Sequence, residues 1–133
     1  MVNHGFRLDG VDIADGVVGH ATEVLDISEV KALLDAGSNH PFSQAELDYA
    51  RATSDPERRL AARLAAKRAA AKLLGVDPQD VEVLRRRGSP PRLGLSKRAT
   101  ARLAEMGADR TLVSLTHGRE QAAAAVLLLK GGA

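Results

Sequence analysis

The stretch RRLAARLAAKRAAAKLLG, residues 58–75, carries six cations and follows a single acid, Glu57. Leu and Ala dominate it and no β-branched residue interrupts it, a composition of high helix propensity. Ser54 or Asp55 stands where an N-cap is needed, Pro56 suits the first helical position, and Gly75 suits the exit. The stretch predicts one long helix. At about 100° per residue, Leu60, Leu64, Ala71 and Leu74 fall on one apolar stripe. Arg59, Arg63 and Lys67 stack four apart on one flank, and Arg68 and Lys72 on the other. Like charges so spaced destabilise an isolated helix by about 0.2–0.5 kcal/mol per pair. The charges either face water as a solvated basic surface or line a site for an anion.

Working outward, PFSQAEL (41–47) opens a helix, because Ser43 with Glu46 three residues later forms a capping box. Upstream, VDIA (11–14) reads as the end of a short strand turned by Asp15-Gly16, and residues 17–36 read as partly helical, ending at Gly37. Downstream, DVEVLRRR (80–87) and RLGLS (92–96) bracket GSPP in a hairpin pattern. KRATARLAEMG (97–107) is a helix stopped by glycine, and TLVSLTH (111–117) with AAAAVLLLK (122–130) forms a second strand pair around GREQ. The order βαααββαββ predicts an α+β fold, a small antiparallel sheet with a long central helix. The 133 residues suffice for one domain spanning 1–133, with a modest core.

Composition excludes several function classes. The net charge of +2 carries no global polyanion signal, and two Phe, one Tyr and no Trp leave little to stack on bases, so no nucleic-acid partner is expected. Without cysteine there is no disulfide framework, thiol nucleophile or thiolate metal site. His4, His20 and His40 have no partner pattern for a metal site. No run approaches about 18 consecutive apolar residues, and MVNHGFRLDG has no signal-peptide core, so a cytoplasmic protein with no membrane partner is expected.

Three stretches in register resemble the holo-acyl-carrier-protein synthase family, the small trimeric 4′-phosphopantetheinyl transferases. They are GVDIAD (10–15), FSQAELDYARATSDPERRLAARLAAKRAAAKLLG (42–75) and VSLTHGREQAAAAVLLL (113–129), and their order and spacing agree over nearly the whole chain. The resemblance implies the 4′-phosphopantetheinyl transferase fold, a homotrimer, and coenzyme A sites between neighbouring protomers. It implies transfer of phosphopantetheine from coenzyme A to a serine of an acyl carrier protein, in fatty acid or polyketide biosynthesis. Such chemistry positions a nucleophile and neutralises pyrophosphate with cations and Mg²⁺. The family's metal ligands are a strand aspartate, matched here by Asp12, and a glutamate in a Lys-Glu-Ala motif. The chain reads Lys67-Arg68-Ala69, so Arg68 stands at the glutamate position, and Lys72 matches the family's phosphate lysine. Leu64 stands where the family has an aromatic.

The resemblance therefore implies Asp12 and Lys72 as catalytic residues, Asp12 as metal ligand, and Lys67, Arg68, Lys72, Gly88, Pro90, Ser114 and His117 as coenzyme A contacts. Gly88 and Pro90 belong to GSPPR, similar to the family's Gly-x-Pro turn near the adenine. Ser114 is expected to face the core or to be hydrogen-bonded, and His117 to meet a phosphate or ribose group. Arginine keeps its charge and offers a fork of N–H donors. Arg68 either binds the diphosphate in place of Mg²⁺ or abolishes transfer, leaving a silent or repurposed homologue that binds coenzyme A or a carrier domain. Asp15 offers a second carboxylate, but three residues along a strand faces the other way. Residues 15–36 hold Asp15, Glu23, Asp26, Glu29 and Asp35 against Lys31 alone. Read as a first helix, that acidic face would repel an acidic carrier protein: either the partner differs, or docking uses Arg85–Arg87, or the transferase role is gone.

Overall fold

A computed structural model describes residues 16–86 and 88–131, together with the backbone of Arg7–Leu8 and Val11–Asp12. The latter two pair as strands β1 and β2 in a separate antiparallel ladder. The central sheet is three-stranded and antiparallel, in the order β3 (Val17–Asp26), β7 (Gln121–Leu129), β6 (Arg110–His117). Helix α3 (Pro56–Leu74) packs across its inner face, with α1 (Ile27–Asp35), α2 (Gln44–Arg51) and α4 (Lys97–Glu105) packed on α3, and β4 (Val81–Leu84) pairs with β5 (Arg92–Leu95).

One expectation fails at β3. Residues 17–26 form a strand, paired residue by residue with β7 from Gly19↔Leu128 to Asp26↔Gln121, and only Ile27–Asp35 is helical. The strand hides its period because its inward positions are Gly19, Ala21, Glu23 and Leu25, while Val18 and Val24 point outward and are exposed. The usual apolar-in alternation is reversed at half the positions, so a tertiary partner decides what local pattern does not. The helices α2, α3 and α4 and the strand pairs β4–β5 and β6–β7 fall where the sequence predicts them; β1 is not among the expected elements, and residues 13–15 of the expected first strand and its turn lie outside the described residues.

α3 is the hub. Pro56 opens it and Gly75 ends it in the left-handed region at φ 68, its N–H bonded to Ala71 O at 2.8 Å. Every residue from Leu60 to Ala71 is buried except Arg68. Small alanines let β7, β3 and β6 press on one side and α1, α2 and β4 on the others, so the helix is enclosed rather than amphipathic. Leu60, Leu64 and Leu74 are almost fully buried, each stabilising the fold by about 1.5–3 kcal/mol.

The capping box on α2 forms as expected, with Ser43 N–H donating to Glu46 Oε1 at 2.8 Å and Glu46 N–H to Ser43 Oγ at 3.1 Å. Glu46 goes further. Its Oε2 accepts from Val83 N–H at 2.7 Å, and its Oε1 accepts from Lys67 Nζ at 3.0 Å. Lys67 also donates to the Val81 carbonyl, and both side chains are sealed from water. One ion pair thus joins α2, α3 and β4.

Candidate functional site

The two cationic flanks of α3 meet different neighbours. On the first, Arg59, Ala62 and Arg63 join Arg85, from just beyond β4, and Leu115, Thr116 and His117 from β6 around a cavity of about 260 Å³. His117 reaches it because it ends β6 on the α3-facing side, in register with buried Ala122. Arg63 is held under Tyr49, with Cζ 4.3 Å from the ring centroid, and donates from Nη1 to the Arg59 carbonyl at 3.2 Å. Burial pushes its guanidinium down from the usual value, while Tyr49 opposes that. Its Nε is buried without a hydrogen-bond partner among the described residues. Such an orphan donor costs roughly 1–3 kcal/mol unless something fills the site. Three arginines around one small cavity suit a phosphate.

On the second flank, Arg68 pairs with Glu29 of α1, and Lys72 Nζ donates to Glu23 Oε1 of β3 at 2.8 Å. The Arg68 hydrogen bond holds the Glu29 carboxyl below its usual range, partly offset by burial. Arg68 remains one-third exposed and Lys72 two-thirds. At the end of β3, Asp26 is exposed and accepts from Gln121 Nε2 at 3.3 Å. The acids expected to form one repelling helix face are therefore split between β3 and α1, and two of them neutralise α3. Among the described residues no cluster of three or more His, Asp or Glu could hold a metal ion.

The other expected site residues scatter. Lys67 is buried 1% exposed against Glu46, because neighbours on a helix point about 100° apart and that direction leads into the core. It is not placed to touch a ligand. Ser114, expected to face the core or to be hydrogen-bonded, is exposed on the sheet face away from α3, since it alternates with buried Val113. Gly88, at φ 80, follows β4 in an exposed turn. Pro90 lines a cavity of about 720 Å³ with Leu84, Arg85, Arg86, Ser89 and Arg92, so Arg85 borders both cavities. Asp12 lies on β2, outside the central sheet; its side chain, Asp15 and Arg87 are outside the described residues.

Sequence reasoning missed the Arg63–His117 grouping, for which one signal existed: Tyr49 gave α2 an aromatic for a cation.

No protein-family model matches the chain. It is 37% identical over 115 residues to the holo-[acyl-carrier-protein] synthase of Moorella thermoacetica, covering 78% of this chain and 90% of that one. The chain belongs to the holo-[acyl-carrier-protein] synthase family. A second synthase, from Nitratidesulfovibrio vulgaris, is 46% identical over 95 residues, 67% of this chain and 73% of that one. Among solved structures, the Mycobacterium tuberculosis acyl carrier protein synthase matches with TM-score 0.67 at 28% identity, covering 87% of this chain and 100% of that one. The Neisseria meningitidis synthase shares the fold with TM-score 0.74 at 21% identity, covering 86% and 99%. The α+β fold with its long central helix is the synthase fold. No helix among the described residues is long and apolar enough to cross a membrane.

Proposed function

We propose that the protein is a 4′-phosphopantetheinyl transferase of the holo-synthase type, moving phosphopantetheine from coenzyme A to a serine hydroxyl of an acyl carrier protein. The observation that carries this reading is the arginine-lined cavity at His117, in a chain 37% identical to a synthase along 90% of that enzyme. In the transfer, the serine oxygen bonds to the phosphorus bearing pantetheine, and 3′,5′-ADP leaves with the bridging oxygen. Catalysis is then mainly placement and charge neutralisation. Arg59, Arg63, Arg85 and His117 hold a phosphate of the nucleotide, and the Gly88–Pro90 turn borders its base. Lys72, once drawn from Glu23, meets the diphosphate together with Arg68.

We assign the place of the family's strand aspartate to Glu23 rather than Asp12. β3 joins the central sheet, and Glu23 faces inward against α3, where it accepts from Lys72 one turn beyond Arg68. The Neisseria synthase is matched over 99% of its length by 86% of this chain, which leaves room for residues outside the shared fold. Mg²⁺ does not fit its expected position. A guanidinium stands where the second carboxylate would, and Glu29 is committed to it. Unit charges 4 Å apart near a surface interact by about 4 kcal/mol, and a divalent ion doubles that repulsion.

The two cation groups lie on opposite flanks of α3, and a homotrimer with sites between protomers would bring one flank against a neighbour's other. Self-association is supported by the uncovered sheet face, where Val24 is 57% exposed beside Ala123 and Ala125. Residues 1–133 act as one domain in this reading, in the cytoplasm. Exposed Arg85, Arg86 and Arg92 offer the charge for an acidic carrier. Arg68 at the glutamate position favours one alternative, a homologue that binds coenzyme A without transfer. Mass spectrometry of an apo acyl carrier protein incubated with this protein and coenzyme A separates the two. Gain of one phosphopantetheinyl group is expected; binding of coenzyme A with no gain on any carrier tried would select the silent homologue.

A further inference from the structure

Arg68 is the single unburied residue of α3 between Leu60 and Ala71. Its exposure is not that of a solvated surface charge, because Glu29 of α1 grips it from one side. One turn on, Lys72 shares the same flank and is gripped by Glu23 of β3. Each cation therefore has its own carboxylate, and the like-charge repulsion expected of the isolated helix is cancelled within the protomer. A guanidinium carries five N–H donors in a rigid plane. The bond to Glu29 is made through Nη2, and the exposed remainder of the fork is open to a second anion. Arginine, unlike lysine, can bridge two anions without losing its orientation.

We infer that Arg68, oriented by Glu29, is the protein's own cation for the diphosphate of coenzyme A, so that binding requires no divalent metal. The inference rests on the coenzyme A reading above. Glu29 holds the fork at a fixed angle, and Lys72, two-thirds exposed, swings from Glu23 to the same group. Arg68 thereby takes over the charge that a metal ion brings, and no proton or ligand exchange accompanies its arrival. Replacing it with glutamate puts a third carboxylate on the flank that holds Glu29 and Glu23 and removes the repelling charge, which converts the position into one for a cation.

The test is calorimetric titration of coenzyme A into the full chain, in EDTA and in excess Mg²⁺. The unmodified protein should bind in both, with affinities within about threefold, since only screening changes. Arg68→Glu should lose about tenfold or more in EDTA, the size of a lost charge-assisted hydrogen bond, and recover on adding Mg²⁺. Arg68→Lys should lie between, keeping the charge but not the fork. Circular dichroism checks that each variant is folded, and Arg68→Gln replaces the glutamate variant in the EDTA arm should that one fail. An affinity of the unmodified protein that rises about tenfold or more with Mg²⁺, or a folded variant that binds normally in EDTA, overturns the inference while leaving coenzyme A as the ligand. Absence of binding in both buffers overturns the coenzyme A reading, and the inference with it.

Discussion

Lys67→Met tests whether the fold or the ligand owns this lysine. The substitution keeps the length of the side chain and removes the ammonium. Glu46 would keep its bonds from Ser43 N–H and Val83 N–H, but its carboxylate, 0% exposed, would lose its salt-bridge partner, leaving buried Arg63 to act on it only through space. The Val81 carbonyl would lose the Lys67 donor as well. Breaking one side of a buried ion pair costs about 3–5 kcal/mol, against a total stability of about 5–15 kcal/mol for a domain. Urea denaturation followed by far-UV circular dichroism, at one protein concentration because self-association adds to stability, should show the midpoint falling with little change in slope. The double variant Glu46→Gln/Lys67→Met should recover part of the loss, since no unpaired charge is left inside. Stability within about 1 kcal/mol of the unmodified protein, beyond what this mechanism allows, with coenzyme A affinity sharply reduced, would refute the argument. It would return Lys67 to the ligand.

Arg63→Ala or His117→Ala should weaken coenzyme A binding by about tenfold or more, whereas His20→Ala and His40→Ala should leave it unchanged; equal effects in calorimetry would reject the cavity as the nucleotide site. Val24→Asp puts a charge on the uncovered sheet face, so sedimentation should show the proposed trimer giving way to smaller species, and an unaltered assembly would mean that another face joins the protomers. The lowered Glu29 carboxyl stabilises the fold at neutral pH, and that contribution fades as pH falls through its folded-state value. Glu29→Gln should therefore narrow the gap between neutral and acid stability, by about 1 kcal/mol or less for so exposed a pair; identical pH profiles for the two proteins would discount the Arg68 pair.

Local chemistry made most elements legible. Ser43 with Glu46, Pro56, Gly75 and Gly107 act on backbone groups within a turn of themselves, so neighbouring residues suffice to read them. The hairpins around GSPP and GREQ follow the same logic, and the family stretches 42–75 and 113–129 were legible because they kept their spacing, whereas Val11–Asp12 of GVDIAD (10–15) lie in β2, outside the central sheet. What lay beyond reach were choices made by distant partners. β3 is a strand because β7 offers it a ladder, although its inward side holds Gly19 and Glu23 and its outward side Val18 and Val24. Lys67 and Arg68 are adjacent cations on one helix. Glu46, twenty-one residues away, draws the first into the core, and Glu29, thirty-nine away, holds the second at the surface. Composition and spacing established a basic central helix, and the resemblance of its motifs pointed to the family that the relatives then showed. Which of its charges are structural and which are free for an anion was decided by packing, because a charge is buried or exposed only with respect to what folds against it.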